Sequence, residues 1–202
     1  MSSVEETVAA ITAGKLAVIP TDTVYGLACA PEDESAVRAL SRLKRRPTGQ
    51  PVALVAASVD HLTERVPELR GRAEKLARGL LPGPFTLVFP NPARRYAWLT
   101  AERPLTIGVR VPELAGMAQE LLAEVAAVAA TSANRHGGAD PRRLADVPRD
   151  MLDAVAALLD GGELPGTPST VLDLTRAEPR VLREGAVRAS DALARVDALL
   201  AQ

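Results

Sequence analysis

Polar residues that could bind a substrate lie where apolar runs of the sequence end. Pro20-Thr21-Asp22-Thr23 follows the run 16–19, Thr131-Ser132-Ala133-Asn134 follows the run 125–130, and Ser169-Thr170 opens a later run. In open α/β sheets, ligands bind in loops at the strand ends. These loops carry hydroxyls and an amide, but neither a poised Cys or His nucleophile, nor paired carboxylates, nor a Gly-x-x-x-x-Gly-Lys loop. Such a site would orient an anionic substrate and stabilise charge, as in phosphoryl or nucleotidyl transfer.

Two basic positions stand out. Three of the 24 basic residues are lysines, so the lysine in Lys44-Arg45-Arg46-Pro47 is the rarer choice. A lysine acts on phosphate as a compact point charge, whereas the alternative is a solvated basic helix end that complements the helix dipole. Arg110 interrupts the apolar run 107–111, and a buried guanidinium needs an anionic partner. That partner is either a substrate carboxylate or a structural Asp or Glu.

The elements that must position these residues alternate between strands and helices. Ser3 and Glu6 form a capping-box pattern before the first helix, and Ser190 is the expected cap of the last one, which ends at Leu200. We predict further helices from about 34 to 43 and over 59–66, 68–80, 113–123 and 144–159. We predict strands over 16–19, 52–57, 86–89, 105–111, 125–130, 169–174 and 180–183. Apolar strands between helices indicate an α/β fold with a twisted, open, mixed or parallel sheet flanked by helices, and a ligand cleft at its strand-end loops.

Composition excludes several classes of protein. The 202 residues carry a net charge of -1, with 47% hydrophobic and 2% aromatic residues, which predicts a single domain (1–202) without a base-stacking platform for RNA. The lone Cys29 excludes an internal disulfide, and His61 and His136 have no zinc-ligand spacing. An acidic N-terminus and the lack of a long apolar run predict a cytoplasmic protein with no membrane partner and no dedicated metal site.

Seven motifs in order resemble those of the YrdC/TsaC family, in its short single-domain form. They span about residues 4 to 188: Pro20-Thr21-Asp22-Thr23-Val24-Tyr25-Gly26-Leu27, Lys44-Arg45-Arg46-Pro47, Pro82-Gly83-Pro84-Phe85-Thr86, Gly108-Val109-Arg110-Val111-Pro112, Thr131-Ser132-Ala133-Asn134, Ser169-Thr170-Val171-Leu172-Asp173 and Arg183-Glu184-Gly185. The resemblance implies a YrdC-like fold and the synthesis of L-threonylcarbamoyladenylate from L-threonine, bicarbonate and ATP. The product would pass to the complex that modifies the tRNA adenosine next to the anticodon, without stable tRNA binding by this chain.

The resemblance also assigns residues. It implies that Lys44 and Arg46 are catalytic and contact the ATP phosphates. Threonine would be bound by Thr21, Arg110, Ser132 and Ser169. ATP would be bound by Lys44, Arg46, Thr106, Asn134, Arg142 and Arg183. Mg²⁺ would come with ATP, held by phosphates and water rather than by a protein cage.

Several of these residues have structural alternatives. The Thr21 hydroxyl could close a turn, Ser132 could cap a helix, and Arg183 could pair with Glu184. Arg142 and His136 lie in the loop 135–143, which departs from the family pattern. Two other functions stay open: a carbamoyl-phosphate-using domain like that of hydrogenase-maturation proteins, and an RNA-binding module. The chain lacks the cysteine-rich zinc modules of the hydrogenase-maturation proteins. Its net charge of -1 argues against an RNA-binding module.

Overall fold

One mixed sheet organises the chain, as a computed structural model that describes residues 1–46, 50–100 and 102–201 shows. Pro47, the last residue of the basic motif, lies outside these ranges. The strands are β1 (Ala17–Ile19), β2 (Gly26–Cys29), β3 (Ala53–Ala56), β4 (Phe85–Pro90), β5 (Thr106–Arg110), β6 (Ala127–Ser132), β7 (Ala157–Leu158), β8 (Thr170–Asp173) and β9 (Arg180–Arg183). The helices are α1 (Val4–Thr12), α2 (Glu34–Leu43), α3 (Val59–Arg65), α4 (Arg72–Leu80), α5 (Gly116–Val125), α6 (Arg149–Leu152) and α7 (Ala189–Leu200).

The strand order is β7-β1-β2-β6-β3-β5-β4-β8-β9, and the pairing is mixed. The pairs β1–β7, β3–β5 and β4–β8 are parallel. The other neighbours along the sheet are antiparallel. The prediction of an open, partly parallel sheet with flanking helices is therefore confirmed.

Helices cover one face of this sheet fully and the other face in part. On the first face, α2, α3, α4 and α7 pack on the larger core, with Leu40, Leu62, Leu76, Phe85 and Val196 among its buried residues. On the second face, α1 and α5 pack over β7, β1, β2 and β6 through a smaller core that includes Ile11, Leu121, Leu122 and Val128. We call this part of the second face the covered half, and the part on β5, β4, β8 and β9 the open half.

The register of the strands defines which residues share the open half. Along β4, Phe85, Leu87 and Phe89 are buried, whereas Thr86 and Val88 are partly exposed on the opposite face. Val88 pairs with Gly108, and Thr86 pairs with Val171. Because directly paired residues point to the same side of a sheet, these four residues line the open half together.

Most predicted elements are confirmed, and three details are corrected. The capping box at Ser3 is present. The predicted helix over 144–159 is wrong: this stretch holds a short 3-10 turn at Leu144–Asp146, the four-residue helix α6 and the strand β7. Ser190 is also not the cap of α7, because the helix begins at Ala189. The backbone N–H of Ala189 donates to Glu184 Oε2 at 2.8 Å. Strand β2 was not predicted as a separate element.

No helix within the described ranges has both the length and the apolar character needed to cross a membrane.

Candidate active site

A cleft with a volume of about 250 Å³ lies on the open half of the sheet and extends to the ends of β2 and β6 at Gly26 and Ser132. The serine and threonine residues that line it are Thr21, Thr23, Thr86, Thr106, Thr131, Ser132 and Ser169. Its cationic groups are the guanidiniums of Arg46, Arg103, Arg110 and Arg183. No Asp or Glu of the described residues is among those lining the cleft. Its charge therefore suits an anionic ligand.

Lys44 fixes the loop that follows β6. Its Nζ donates to the carbonyl oxygen of Ser132 at 2.6 Å, to Ser132 Oγ at 3.2 Å, to the carbonyl oxygen of Asn134 at 3.0 Å, and to Asn134 Oδ1. The side chain is 4% exposed, so the interpretation as a solvated helix end is wrong. An ammonium has three protons, and these four oxygens take up all of them.

The buried ammonium lies among other cations. Burial, together with the nearby Arg46 and Arg183, lowers the pKa of Lys44 from 10.5 to about 8, while Asp140 opposes this shift. Burial and Arg183 also lower the pKa of Arg46. These cations destabilise one another, so a bound anion would relieve their repulsion.

Arg46 crosses from the end of α2 to β6. One terminal nitrogen donates to Thr131 Oγ1 at 2.7 Å, and the other donates to the carbonyl oxygen of Pro51 at 2.6 Å. Its Nε is buried and has no partner among the described residues. Since a buried unpaired donor is costly, the two anchored nitrogens hold Arg46 in a place that an anion would stabilise.

Arg110, at the end of β5, pairs with Asp22 of the loop after β1. Nη2 of Arg110 donates to Asp22 Oδ1 and, at 2.9 Å, to Thr23 Oγ1. The second oxygen of Asp22 accepts from the backbone N–H of Glu113 at 3.2 Å. The side chains of Arg110 and Asp22 are 9% and 10% exposed, and Nε of Arg110 is unpaired among the described residues. The structural carboxylate expected as one alternative thus exists.

Arg183 on β9 joins the start of β8 to β4. It donates to the carbonyl oxygen of Ser169 at 2.7 Å and to Ser169 Oγ at 3.2 Å, and this hydroxyl lies 2.8 Å from Thr86 Oγ1. The alternative of an ion pair with Glu184 is wrong, because that carboxylate accepts from Ala189 instead. Burial lowers the pKa of Arg183, with Asp140 opposing and Arg110 adding to the effect.

Comparison with known proteins identifies the family. The family model Sua5_yciO_yrdC, described as "Telomere recombination", matches residues 9–185. The chain belongs to the Sua5/YciO/YrdC family. The resemblance of its seven motifs to this family is thereby confirmed.

Curated members of the Sua5/YciO/YrdC family include close relatives of the chain. The threonylcarbamoyl-AMP synthase of Pyrococcus abyssi (strain GE5 / Orsay) is 38% identical over 175 residues, which are 85% of this chain and 51% of that protein. The putative threonylcarbamoyl-AMP synthase of Mycobacterium tuberculosis (strain CDC 1551 / Oshkosh) is 39% identical over 181 residues, 89% of this chain and 82% of that protein. The chain thus spans about half of the Pyrococcus relative and most of the mycobacterial one.

Solved structures of the Sua5/YciO/YrdC family share the fold. The crystal structure of P. abyssi Sua5 complexed with L-threonine has a TM-score of 0.78 and 34% identity, covering 91% of this chain and 54% of that chain. The crystal structure of E. coli YciO has a TM-score of 0.81 and 28% identity, covering 91% of this chain and 89% of that chain.

The motif residues of the Sua5/YciO/YrdC family occupy different positions in this chain. Thr21, Arg46, Thr106, Arg110, Ser132, Ser169 and Arg183 line the cleft. Lys44 and Asn134 lie behind it, where Asn134 Nδ2 donates to Gly138 O at 2.7 Å and to Asp140 Oδ1 at 3.2 Å. Thr21 closes the expected turn, because its hydroxyl donates to the carbonyl oxygen of Val24 at 2.7 Å.

Arg142 stands apart from the cleft. It donates to Glu163 at 2.9 Å, and both side chains are about half exposed. The neighbouring Arg143 pairs with the same carboxylate. The role of Arg142 in ATP binding stays a prediction, since in this structure its charge is already neutralised by Glu163.

Sequence reasoning assigned no role to four residues of this region. Asp22 orients Arg110, Thr86 extends the hydroxyl pair with Ser169, and Gly26 and Gly108 line the cleft without a side chain. Asp22 and Gly26 stand inside the Pro20–Leu27 motif, so the motif itself could have indicated them. For Thr86 and Gly108, the alternation along β4 and β5 is the signal that places them on the cleft side.

Proposed function

We propose that this protein is a threonylcarbamoyl-AMP synthase, a nucleotidyltransferase that forms threonylcarbamoyl-AMP and pyrophosphate from L-threonine, bicarbonate and ATP. One observation carries the proposal: Arg46, Arg110 and Arg183 line one cleft together with seven serine and threonine residues and no carboxylate among the described residues. Such a cleft suits two anionic substrates that react with each other without a protein nucleophile. The names of the relatives favour this activity over carbamoyl-phosphate chemistry and over RNA binding.

Threonine binds at the Arg110 side of the cleft. The guanidinium of Arg110, which lines the cleft, receives the substrate carboxylate, while Asp22 holds its Nη2 in place. The hydroxyls of Ser132 and Ser169 and the Thr21 turn line the same cleft and orient the amino acid. The neutral amine then attacks the carbon of bicarbonate, a C–O bond of bicarbonate breaks and water leaves, which yields N-carboxy-threonine.

ATP binds along the cations that remain. Arg46 and Arg183 neutralise its phosphates, and Thr106 and Asn134 fix the nucleotide. A carboxylate oxygen of N-carboxy-threonine attacks the α-phosphorus, and the bond from this phosphorus to the bridging oxygen breaks as pyrophosphate leaves. The arginines stabilise the charge that builds up on the phosphoryl oxygens, which is the main contribution a protein makes to this reaction type.

Lys44 acts mainly by position. Because its ammonium binds Ser132 and Asn134, it holds both residues against the substrates and adds a positive charge behind the phosphates. The catalytic contribution of Lys44 is then the geometry of this loop, together with long-range attraction of ATP. Arg46 is the catalytic residue that contacts the phosphates directly.

ATP enters as its magnesium complex, with the metal held by phosphate oxygens and water. Among the described residues, no group of three or more His, Cys, Asp and Glu side chains is arranged to hold a metal ion. The arginines in the cleft would repel a bare cation, so the residues present fit a phosphate-bound metal better than a protein-bound one. The product is handed to the tRNA threonylcarbamoyl-transferase complex in the cytoplasm.

The test is pyrophosphate release from ATP in the presence of magnesium, bicarbonate and L-threonine. We expect release only when both threonine and bicarbonate are present. Arg46→Met should lower the rate by about 100-fold or more, because the guanidinium charge that neutralises the phosphates is lost. Arg38→Met, on the exposed side of α2 with a side chain 69% exposed, is the matched control and should keep the rate. Release without threonine would contradict the proposal.

A further inference from the structure

Gly26 lines the cleft in the middle of the sheet although its backbone does not require glycine. Its φ is not positive, and it pairs in register with Ile19 on one side and Ser132 on the other. A glycine inside a strand makes the fold less stable than an alanine would. Glycine at such a position often marks the close approach of a ligand.

The backbone at Gly26 has room for a Cβ atom. A Cβ at this position would lie 3.5 Å from the carbonyl oxygen of Thr131, 3.6 Å from Thr21 Cγ2 and 3.8 Å from the carbonyl oxygen of Ile19. These are ordinary van der Waals distances, so an alanine would fit here without displacing any neighbour, whereas glycine lets the methyl group of a ligand approach its Cα to van der Waals contact. We call this space the Gly26 niche, bounded by Gly26, Thr21 and Thr131.

The wall of the niche formed by Thr21 is rigid. Thr21 Oγ1 donates to Val24 O at 2.7 Å and accepts from the backbone N–H of Thr23 at 3.2 Å and of Val24 at 3.3 Å. The hydroxyl is therefore held by the turn, which fixes the direction of the Cγ2 methyl group beside Gly26. A fixed methyl next to an empty carbon-sized space offers a contact for another methyl group.

We propose that the Gly26 niche receives the γ-methyl group of L-threonine, so that Gly26 and Thr21 determine the preference for threonine over serine. This inference rests on the proposed function. The niche lies between Thr21 and Ser132, two residues assigned to the amino acid, and opens into the cleft that Arg110 lines. Serine would leave the same space empty and lose its contacts.

The test compares the kcat/KM of threonine with that of serine in pyrophosphate release. In the wild type, one methyl group in a fitted pocket should favour threonine about 10-fold or more. Gly26→Ala fills the niche, so its kcat/KM for threonine should fall about 10-fold while that for serine changes little. Thr21→Ser keeps the turn hydroxyl and removes Cγ2, and should lower the preference for threonine about fourfold.

Gly108→Ala is the matched control. Gly108 is also a mid-strand glycine that lines the cleft without a positive φ, and its Cβ would lie 3.9 Å from Thr86 Cγ2. This variant should leave unchanged the ratio of the kcat/KM for threonine to the kcat/KM for serine. Thermal unfolding of each variant, together with calorimetric titration of the two amino acids without ATP, separates folding and binding from turnover.

Each outcome decides the inference. The methyl group would bind elsewhere if folded Gly26→Ala lost kcat/KM equally for threonine and serine. A changed ratio of the two kcat/KM values in Gly108→Ala would lead to the same conclusion. If the wild type releases no pyrophosphate with threonine, the proposed function fails. Calorimetric titration of threonine without ATP then tests the Gly26 niche separately. If the wild type then binds threonine and Gly26→Ala does not, the result supports the niche. Equal threonine binding to both proteins, or no threonine binding to the wild type, would overturn it.

Discussion

The covered half and the open half belong to one face of one sheet but differ in residue type. Under α1 and α5, the strands present small apolar residues, among them Ala17, Ala28, Val128 and Ala157. Across β5, β4 and β8, the same face presents Thr86, Thr106, Gly108 and Arg110. Small residues let helices approach closely, whereas hydroxyls and guanidiniums need a polar partner. The covered half thus contributes stability, and the open half contributes binding.

The difference between the two halves shows where this protein loses stability in favour of function. Arg46 and Arg110 each keep a buried Nε without a partner among the described residues, which a fold selected only for stability would avoid. Both atoms belong to residues of the cleft. Unpaired buried donors at a binding site are compensated when the ligand arrives, so ligand binding should stabilise the protein through the open half.

The largest effect is expected from Arg110→Ala. This variant leaves the carboxylate of Asp22 buried without its partner, so the free energy of unfolding should fall by about 3–5 kcal/mol. Threonine binding should be lost as well. Urea unfolding and calorimetry measure the two effects. Arg38→Ala, which breaks an exposed pair with Glu34, should cost at most about 1 kcal/mol, and a similar cost for Arg110→Ala would contradict the prediction.

Leu121→Ala tests the covered half. Leu121 is 1% exposed in α5, so its truncation should lower the free energy of unfolding by about 2–5 kcal/mol. The KM for threonine should not change in the folded enzyme, because the side chain lies under the helix and away from the cleft. Urea unfolding and steady-state kinetics at low temperature check both statements. A raised KM would show that the two halves are not independent.

Part of the fold follows from the sequence alone. Apolar runs indicated most strands, and the pattern at Ser3 and Glu6 indicated the cap of α1, because these signals are local. Strand β7 could not be predicted in the same way. It has two residues, Ala157 and Leu158, and exists because they pair with β1, about 140 positions earlier in the chain.

The sequence indicated which residues form the site, but not how they are arranged in space. Lys44 stood out among the arginines, yet its burial depends on oxygens of the loop after β6, 88 and 90 positions further on. The partner of Arg110 was foreseen as a carboxylate, but its identity as Asp22 depends on a contact across 88 positions. Long-range contacts of this kind follow from the topology of the sheet and not from local pattern.

A smaller, pH-dependent effect should report on Lys44. Its pKa in the folded protein is about 8, below the ordinary 10.5. Between these two values the unfolded chain binds more protons than the folded one, so the contribution of Lys44 to stability increases as the pH rises from about 8 towards 10. We measure it as the difference in free energy of unfolding between the wild type and Lys44→Met. A difference that stays constant or falls across this range would contradict the prediction.

The smallest effect separates an arginine inside the cleft from one outside it. Arg183 lines the cleft, so Arg183→Ala should raise the KM for ATP about 10-fold or more through the loss of a charged contact. Arg142 is exposed and already paired with Glu163, so Arg142→Ala should raise this KM less than about threefold, within the range of a surface ion pair. Steady-state kinetics with varied ATP gives both values. If the effect of Arg142→Ala equalled that of Arg183→Ala, Arg142 would have to exchange Glu163 for the nucleotide, and the binding site would extend from the cleft to the loop 135–143.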